Sequence, residues 1–198
     1  MGLDSVELLV TVERKFKIEI PNQESERINT VQEFVNSVFD KINIATINEE
    51  SIKENVFLRL IKCLNQLGIS CSPLDGNILI KDLFITSHLH DLWTRLQFSL
   101  ELFLPALSDN DIDPNLDTHV KIFGFKTIKR NQPITSGTLN QLVDWIISIN
   151  FESLINFNSI SNLYEIERTI CGLINRNIGI PINEIEMHHS INADLGID

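Results

Sequence analysis

Ser5 stands where an apolar helical pattern begins, with Asp4 before it and Val6, Leu8, Leu9, Val12 and Phe16 following at helical spacing. Asp4 or Ser5 can cap such a helix through a side-chain oxygen. Glu7 falls in the first turn, where a carboxylate meets the positive end of the helix dipole. Elsewhere the chemistry is sparse. His188-His189 with Glu184, Glu186 and Asp194 contains metal-binding residue types, but their spacing matches no helical ligand motif. The group reads as a solvated polar loop, and no metal is expected. His88 and His90 with Asp91 imitate a catalytic pair, yet near a helix start they read as cap and surface residues. Cys63, Cys71 and Cys171 are odd in number and lack metal-ligand spacing, so reduced thiols are expected, with Cys63 and Cys171 in the core. There is no Gly-x-Ser-x-Gly, phosphate-binding Gly loop or Cys-His nucleophile pattern. No enzyme is expected.

The elements that position these residues are mostly helices. After the first helix, Ile18, Ile20 and Pro21 leave helical geometry. A second helix starts near Asn29 or Thr30, with Glu33 placed for a capping box and Val31, Phe34, Val35, Val38, Phe39 and Ile42 as its stripe. Residues 43–51 read as a linker. Val56, Leu60, Ile61, Leu64 and Leu67 form a helix that Gly68 stops, and a loop runs over 70–85. Leu89, Leu92, Trp93, Leu96 and Leu100 form the next helix, before an acidic loop over 109–117. In 118–130, apolar residues alternate loosely with Lys121, Lys126, Lys129 and Arg130, which fits a short hairpin around Gly124. A solvated edge hairpin accounts for those lysines better than an anionic partner does. Helices over 138–149 and 163–178 follow, the second stopped by Gly179.

Composition bounds the function. The 198 residues are 43% hydrophobic, enough for a core, and the formal net charge of −11 argues against nucleic acid. An acidic chain suits partners with basic docking patches. No apolar run approaches the roughly 20 residues that span a bilayer, and the opening residues lack the order of a secretion signal. A cytoplasmic setting is expected.

Two orders of features recur. Helix, Gly stop, long loop and Asp-Leu appear as Val56–Leu67, Gly68 and Asp82-Leu83, then as Ile166–Ile178, Gly179 and Asp194-Leu195. Helix, apolar-x-apolar-Pro, loop and Thr-initiated helix appear once through Pro21 and Thr30, and again through Pro105 and Thr138. Aligning the two prolines sets Leu89 opposite Ser5, so the middle copy lacks the serine.

Gly2-Leu3-Asp4-Ser5-Val6, then Lys17-Ile18-Glu19-Ile20-Pro21 and the Thr30-Val31 helix start, resembles the acyl carrier protein family. In that family the serine of an Asp-Ser-Leu motif carries 4′-phosphopantetheine; here Val6 takes the Leu position. Residues 163–198 resemble the family's opening half, up to Asp194-Leu195-Gly196-Ile197-Asp198. The resemblance implies an all-α fold of carrier-like helical bundles. One is built from 1–42 plus 163–198, its two halves in permuted order; the other is a degenerate unit over 54–150 with a long loop insertion. The halves either pair within one chain, as residues 1–42 alone cannot bury their apolar faces, or belong to a longer tandem protein.

The same resemblance implies Ser5 as the phosphopantetheine attachment point with Asp4 beside it. Its phosphodiester would lie at the positive end of a helix dipole. It also implies docking through Glu7, Glu13 and Glu19. The partners would be a phosphopantetheinyl transferase and acyl-transferring or synthase enzymes with basic patches. The implied role is to hold acyl groups as thioesters, as a phosphoprotein of fatty-acid, polyketide or related lipid synthesis. The alternative is a non-catalytic interaction module that keeps the fold and lacks the prosthetic group. Ser5 exposed at a helix start favours the carrier, whereas Ser5 buried against 163–198 favours the module.

Overall fold

Wherever the apolar period runs for three turns or more, a helix forms. A computed structural model describes residues 3–42, 44, 51–70, 75–84, 88–113, 119–122, 125–129 and 132–197. In chain order the elements are α1 (Leu3–Phe16), α2 (Asn22–Ser25), α3 (Val31–Lys41), α4 (Ile52–Gln66), α5 (Ile80–Leu83), α6 (Leu89–Leu100) and α7 (Asp109–Ile112). There follow β1 (His119–Ile122), β2 (Phe125–Lys129), α8 (Leu139–Ile149), α9 (Phe151–Leu154) and α10 (Leu163–Ile178). Short 3₁₀ turns lie at Ile134–Ser136 and Ile182–Glu184. Among the described residues the fold is all-α apart from one antiparallel hairpin, with Lys121 opposite Lys126 and Ile122 opposite Phe125. Gly2, Cys71, Asp117, Gly124, Arg130 and Asp198 lie outside the described residues.

The chain divides into two compact units, Met1–Ser51 with Ser148–Asp198, and Ile52–Ile147. In the first, α10 packs on both α1 and α3. Leu8, Val12, Val31, Val35, Val38, Ile166, Ile170, Leu173 and Ile174 are almost fully removed from water. In the second, α4 packs on α6 and α5 against the 3₁₀ turn at 134–136, around Leu60, Leu64, Ile80, Leu96, Leu142 and Val143.

The two units repeat the same local bonds. After α1, the Ile20 N–H donates to Glu13 Oε1 at 2.7 Å; after α6, the Leu104 N–H donates to Gln97 Oε1 at 3.0 Å. Each bond spans seven residues and ends just before its proline. Lys17 (φ 56°) and Glu101 (φ 52°) follow their helices in the same left-handed conformation. Thr30 caps α3 in a capping box with Glu33, and Thr138 makes the same reciprocal bonds with Gln141 before α8. Thr30 forms an isolated antiparallel bridge with Ser190, and Thr138 one with Leu79. The flanking bonds match as well: Val31 N–H to His189 O and Ile191 N–H to Asn29 O, against Leu139 N–H to Ile78 O and Ile80 N–H to Gly137 O. The bridging loop precedes its helix in the second unit and follows it in the first.

Several expectations change. The bridges give Ser190 and Leu79 equivalent places in the two units, so Ile191 corresponds to Ile80 and Asp194 to Leu83 rather than to Asp82. The loop over 70–85 contains α5, and the acidic loop contains α7, with Ser108 and Asp111 as a capping box. A single turn holds too few apolar positions to display a period, so local caps and packing decide such elements. Val6 and Phe39, placed on apolar stripes, are exposed at 43% and 38%. Both sit beside the buried stripe, whose width a period alone does not set.

Candidate functional site

Ser5 lies within the first turn of α1, not at its cap, because helical geometry begins by Leu3. It is buried, at 7% exposure. Its side lines a partly open cavity of about 140 Å³, together with Leu8 and Leu9 of α1, Ser25, Glu26, Ile28 and Asn29 from the α2–α3 connection, Phe34, and Ile191 and Asn192. Of the two outcomes set out for Ser5, the buried one holds, and it is the one that favours the interaction module. The α2–α3 connection and the loop at Ile191–Asn192, joined by the Ile191 N–H to Asn29 O bond, share the cavity with Ser5. The cavity wall is apolar along α1 and Phe34, and its rim carries hydroxyl, amide and carboxylate groups. Residues 25–29 and 191–192 carry no sequence signal for this cavity, since backbone bonds such as Ile191 N–H to Asn29 O and the Thr30–Ser190 bridge join segments far apart in the chain.

The acidic residues around this site behave differently from one another. Asp4, Glu7 and Glu19 are exposed. Glu13 is half-buried, and its carboxylate accepts the Ile20 N–H, so it holds the chain exit from α1 in place. Glu24, nearby in sequence, accepts from the Lys41 ammonium and the Ser37 hydroxyl. The Lys41 bond first, then that of Ser37, hold its carboxyl below the ordinary value near 4.5. At the far end of α1, Glu152 bridges Lys15 at 2.9 Å and Arg176 at 3.0 Å, and the two cations lower its pKa in the same way.

The second unit has a cavity in the corresponding place. It measures about 220 Å³ and is lined by Lys81, Phe84, Leu89, Asn110, Asp111, Pro133, Thr135 and Ser136. Leu89 supplies a methyl-bearing side chain where Ser5 supplies a hydroxyl, so the second cavity offers no attachment point there. Asp111, 1% exposed, accepts the N–H and hydroxyl of both Ser108 and Thr135. Four donors satisfy its carboxylate, which ties α7 to the 3₁₀ turn.

The remaining candidates separate. His88 and His90 are exposed, and His88 sits at the N-cap of α6 with no side-chain capping bond, unlike the cap expected of it. Cys63 and Cys171 are buried and form no disulfide among the described residues. Glu186, His188 and His189 converge within one loop, while the Asp194 carboxylate instead accepts the Ser190 N–H at 2.8 Å.

The chain contains a segment similar to acyl carrier proteins. Over 41 residues, 21% of the chain, it is 42% identical to the acyl carrier protein of Thermosynechococcus vestitus. Over 40 residues it is 44% identical to that of Chloroherpeton thalassium and 46% identical to that of Buchnera aphidicola subsp. Acyrthosiphon pisum. The chain spans about half the length of these curated relatives (51%, 50% and 50%). No family model matches the chain. No solved structure matches it either. Among the described residues, no helix is long and apolar enough to cross a membrane.

Proposed function

We propose that this protein is a carrier: residues 1–42 and 163–198 form one carrier-like bundle in permuted order, and Ser5 receives a 4′-phosphopantetheine arm. The observation that carries the reading is Ser5 in the first turn of α1 beside a cavity, in a chain whose similarity is to acyl carrier proteins. A phosphodiester at Ser5 would meet the positive end of the α1 dipole. When bound, the arm supplies a terminal thiol that holds acyl groups as thioesters. The chain itself performs no catalysis in this reading. Asp4, Glu7 and Glu19 give basic patches on a transferase or synthase an exposed acidic face. Residues 54–150 act as a serine-less unit that preserves the carrier geometry. The setting is cytoplasmic, and the pathway is fatty-acid, polyketide or related lipid synthesis.

The 7% exposure of Ser5 favours a second reading, an interaction module without the arm. Phe98 and Phe103 in the second unit, 87% and 68% exposed, add apolar surface suited to protein contact. For the carrier reading to hold, the rim at 25–29 or 191–192 must open so that a transferase reaches the hydroxyl.

The deciding experiment is intact mass after incubation with coenzyme A and a broad-specificity phosphopantetheinyl transferase, beside the Ser5→Ala protein. A gain of one phosphopantetheinyl group in the unmutated protein alone establishes the carrier. No gain in a folded protein sinks that assignment and leaves the module.

A further inference from the structure

We propose that Glu186, His188 and His189 bind a divalent transition metal ion, with zinc the best fit. This site does not depend on the carrier reading. The loop that bears it is pinned by its backbone. Met187 O accepts the Gln32 N–H at 2.8 Å, His189 O accepts the Val31 N–H at 3.1 Å, and the Ile191 N–H donates to Asn29 O at 2.8 Å. Two of these donors belong to the first turn of α3, whose N–H groups have no partner within the helix. Ile185 and Ile191 are buried on either side of the loop. The main chain beneath the three side chains is thus ordered without the metal, which lowers the cost of collecting ligands.

The side chains already converge. One potential ligand atom from each residue lies within 4.8 Å of the others. His188 Nδ1 is 3.2 Å from a Glu186 carboxylate oxygen, and the two imidazole rings are 4.8 Å apart. Zinc bonds of about 2.0–2.2 Å place tetrahedral ligands roughly 3.3 Å from one another, so closure needs side-chain movements of about 1 Å. Glu186 and His188 are exposed and His189 half-buried, so rotation about side-chain bonds can supply that movement. One weak interaction competes: the Glu186 N–H donates to His189 Nδ1 at 3.3 Å. A metal taking that nitrogen returns an exposed N–H to water, at little cost.

Two imidazoles and a carboxylate select zinc, copper or nickel over magnesium and calcium, which prefer all-oxygen sets. Solvent would complete a four-coordinate site. The net charge of −11 favours the approach of a cation. From sequence the segment reads as a polar loop, because its spacing fits no helical ligand motif. The fold brings the ligands together through a turn, which a helical ligand motif does not describe.

The test is calorimetric titration of the full-length, metal-free protein with zinc, paired with cobalt titration read by visible absorption. The expected result is one saturable zinc site with Kd on the order of 10 µM, and four-coordinate cobalt bands that zinc abolishes. His188→Gln and His189→Gln should each weaken zinc at least about tenfold. His88→Ala with His90→Ala should leave binding unchanged. Zinc should raise the thermal midpoint of the unmutated protein and not that of the loop variants. Absence of saturable binding at about 1 mM zinc overturns the proposal, as does binding that survives both loop substitutions.

Discussion

Glu24 illustrates how a single side chain can carry both position and pH dependence. It links the α2 turn to α3 through Ser37 and Lys41, and those bonds favour its ionised form. A carboxylate with a lowered folded pKa adds stability above its unfolded pKa, and that stability is lost as pH falls through the folded value. Glu24→Gln should therefore lower the urea midpoint near neutral pH. Its deficit should shrink as pH falls below the ordinary value near 4.5, when the unmutated carboxyl protonates too. A deficit that stays constant from neutral pH to well below that range would assign Glu24 a packing role instead. Ser5 poses the opposite case. Its type and neighbours are legible in the sequence, but its burial depends on segments 20 or more residues away, including one near residue 191. The Glu13 role was equally hidden, since a carboxylate at helical spacing looks the same whether it faces solvent or bonds Ile20.

At the scale of elements, the six longer helices were legible because their apolar stripes repeat over three turns, and Gly68 and Gly179 mark two of the stops (both φ 82°). The one-turn helices were not, because propensity over four residues is weak against local capping. The Thr30 box is the strongest capping prediction: its hydroxyl accepts the Glu33 N–H at 3.2 Å, while Glu33 bonds back to the Asn29 and Thr30 N–H groups. Thr30→Ala should destabilise the first unit by about 1 kcal/mol. Chemical denaturation with an unchanged m-value would measure it, and a change under about 0.3 kcal/mol would show that the Ser190 bridge alone sets the helix start.

At the scale of the whole chain, two compact units imply two separable cooperative cores. A fragment covering 52–147 should retain helical circular dichroism and unfold in one thermal transition. By contrast, a chain lacking 163–198 should lose the helix signal of α1 and α3, because both rest on α10. The physical reason is burial: Val12, Val31, Val35 and Val38 are sealed in the unit to which Ile170 and Leu173 belong. Exposing such a face costs about 25 cal/mol per Å² of apolar surface. Retention of the α1 and α3 signals in the truncated chain would contradict this dependence.

The sequence by itself determined the long helices, the Thr30 cap, the stops at Gly68 and Gly179, the hairpin, the repeat of helix and proline, and the carrier-like segment. These rest on interactions between residues close in the chain, which periodicity and capping chemistry express directly. Tertiary structure alone decided that Ser5 is buried beside a cavity and that Ser190 pairs with Thr30. It also decided that Leu89 fronts a matching cavity and that Glu186, His188 and His189 converge on a pinned loop. Each of these depends on backbone groups far apart in sequence finding one another. A hydrogen bond between Val31 and His189 leaves no periodic trace in either segment.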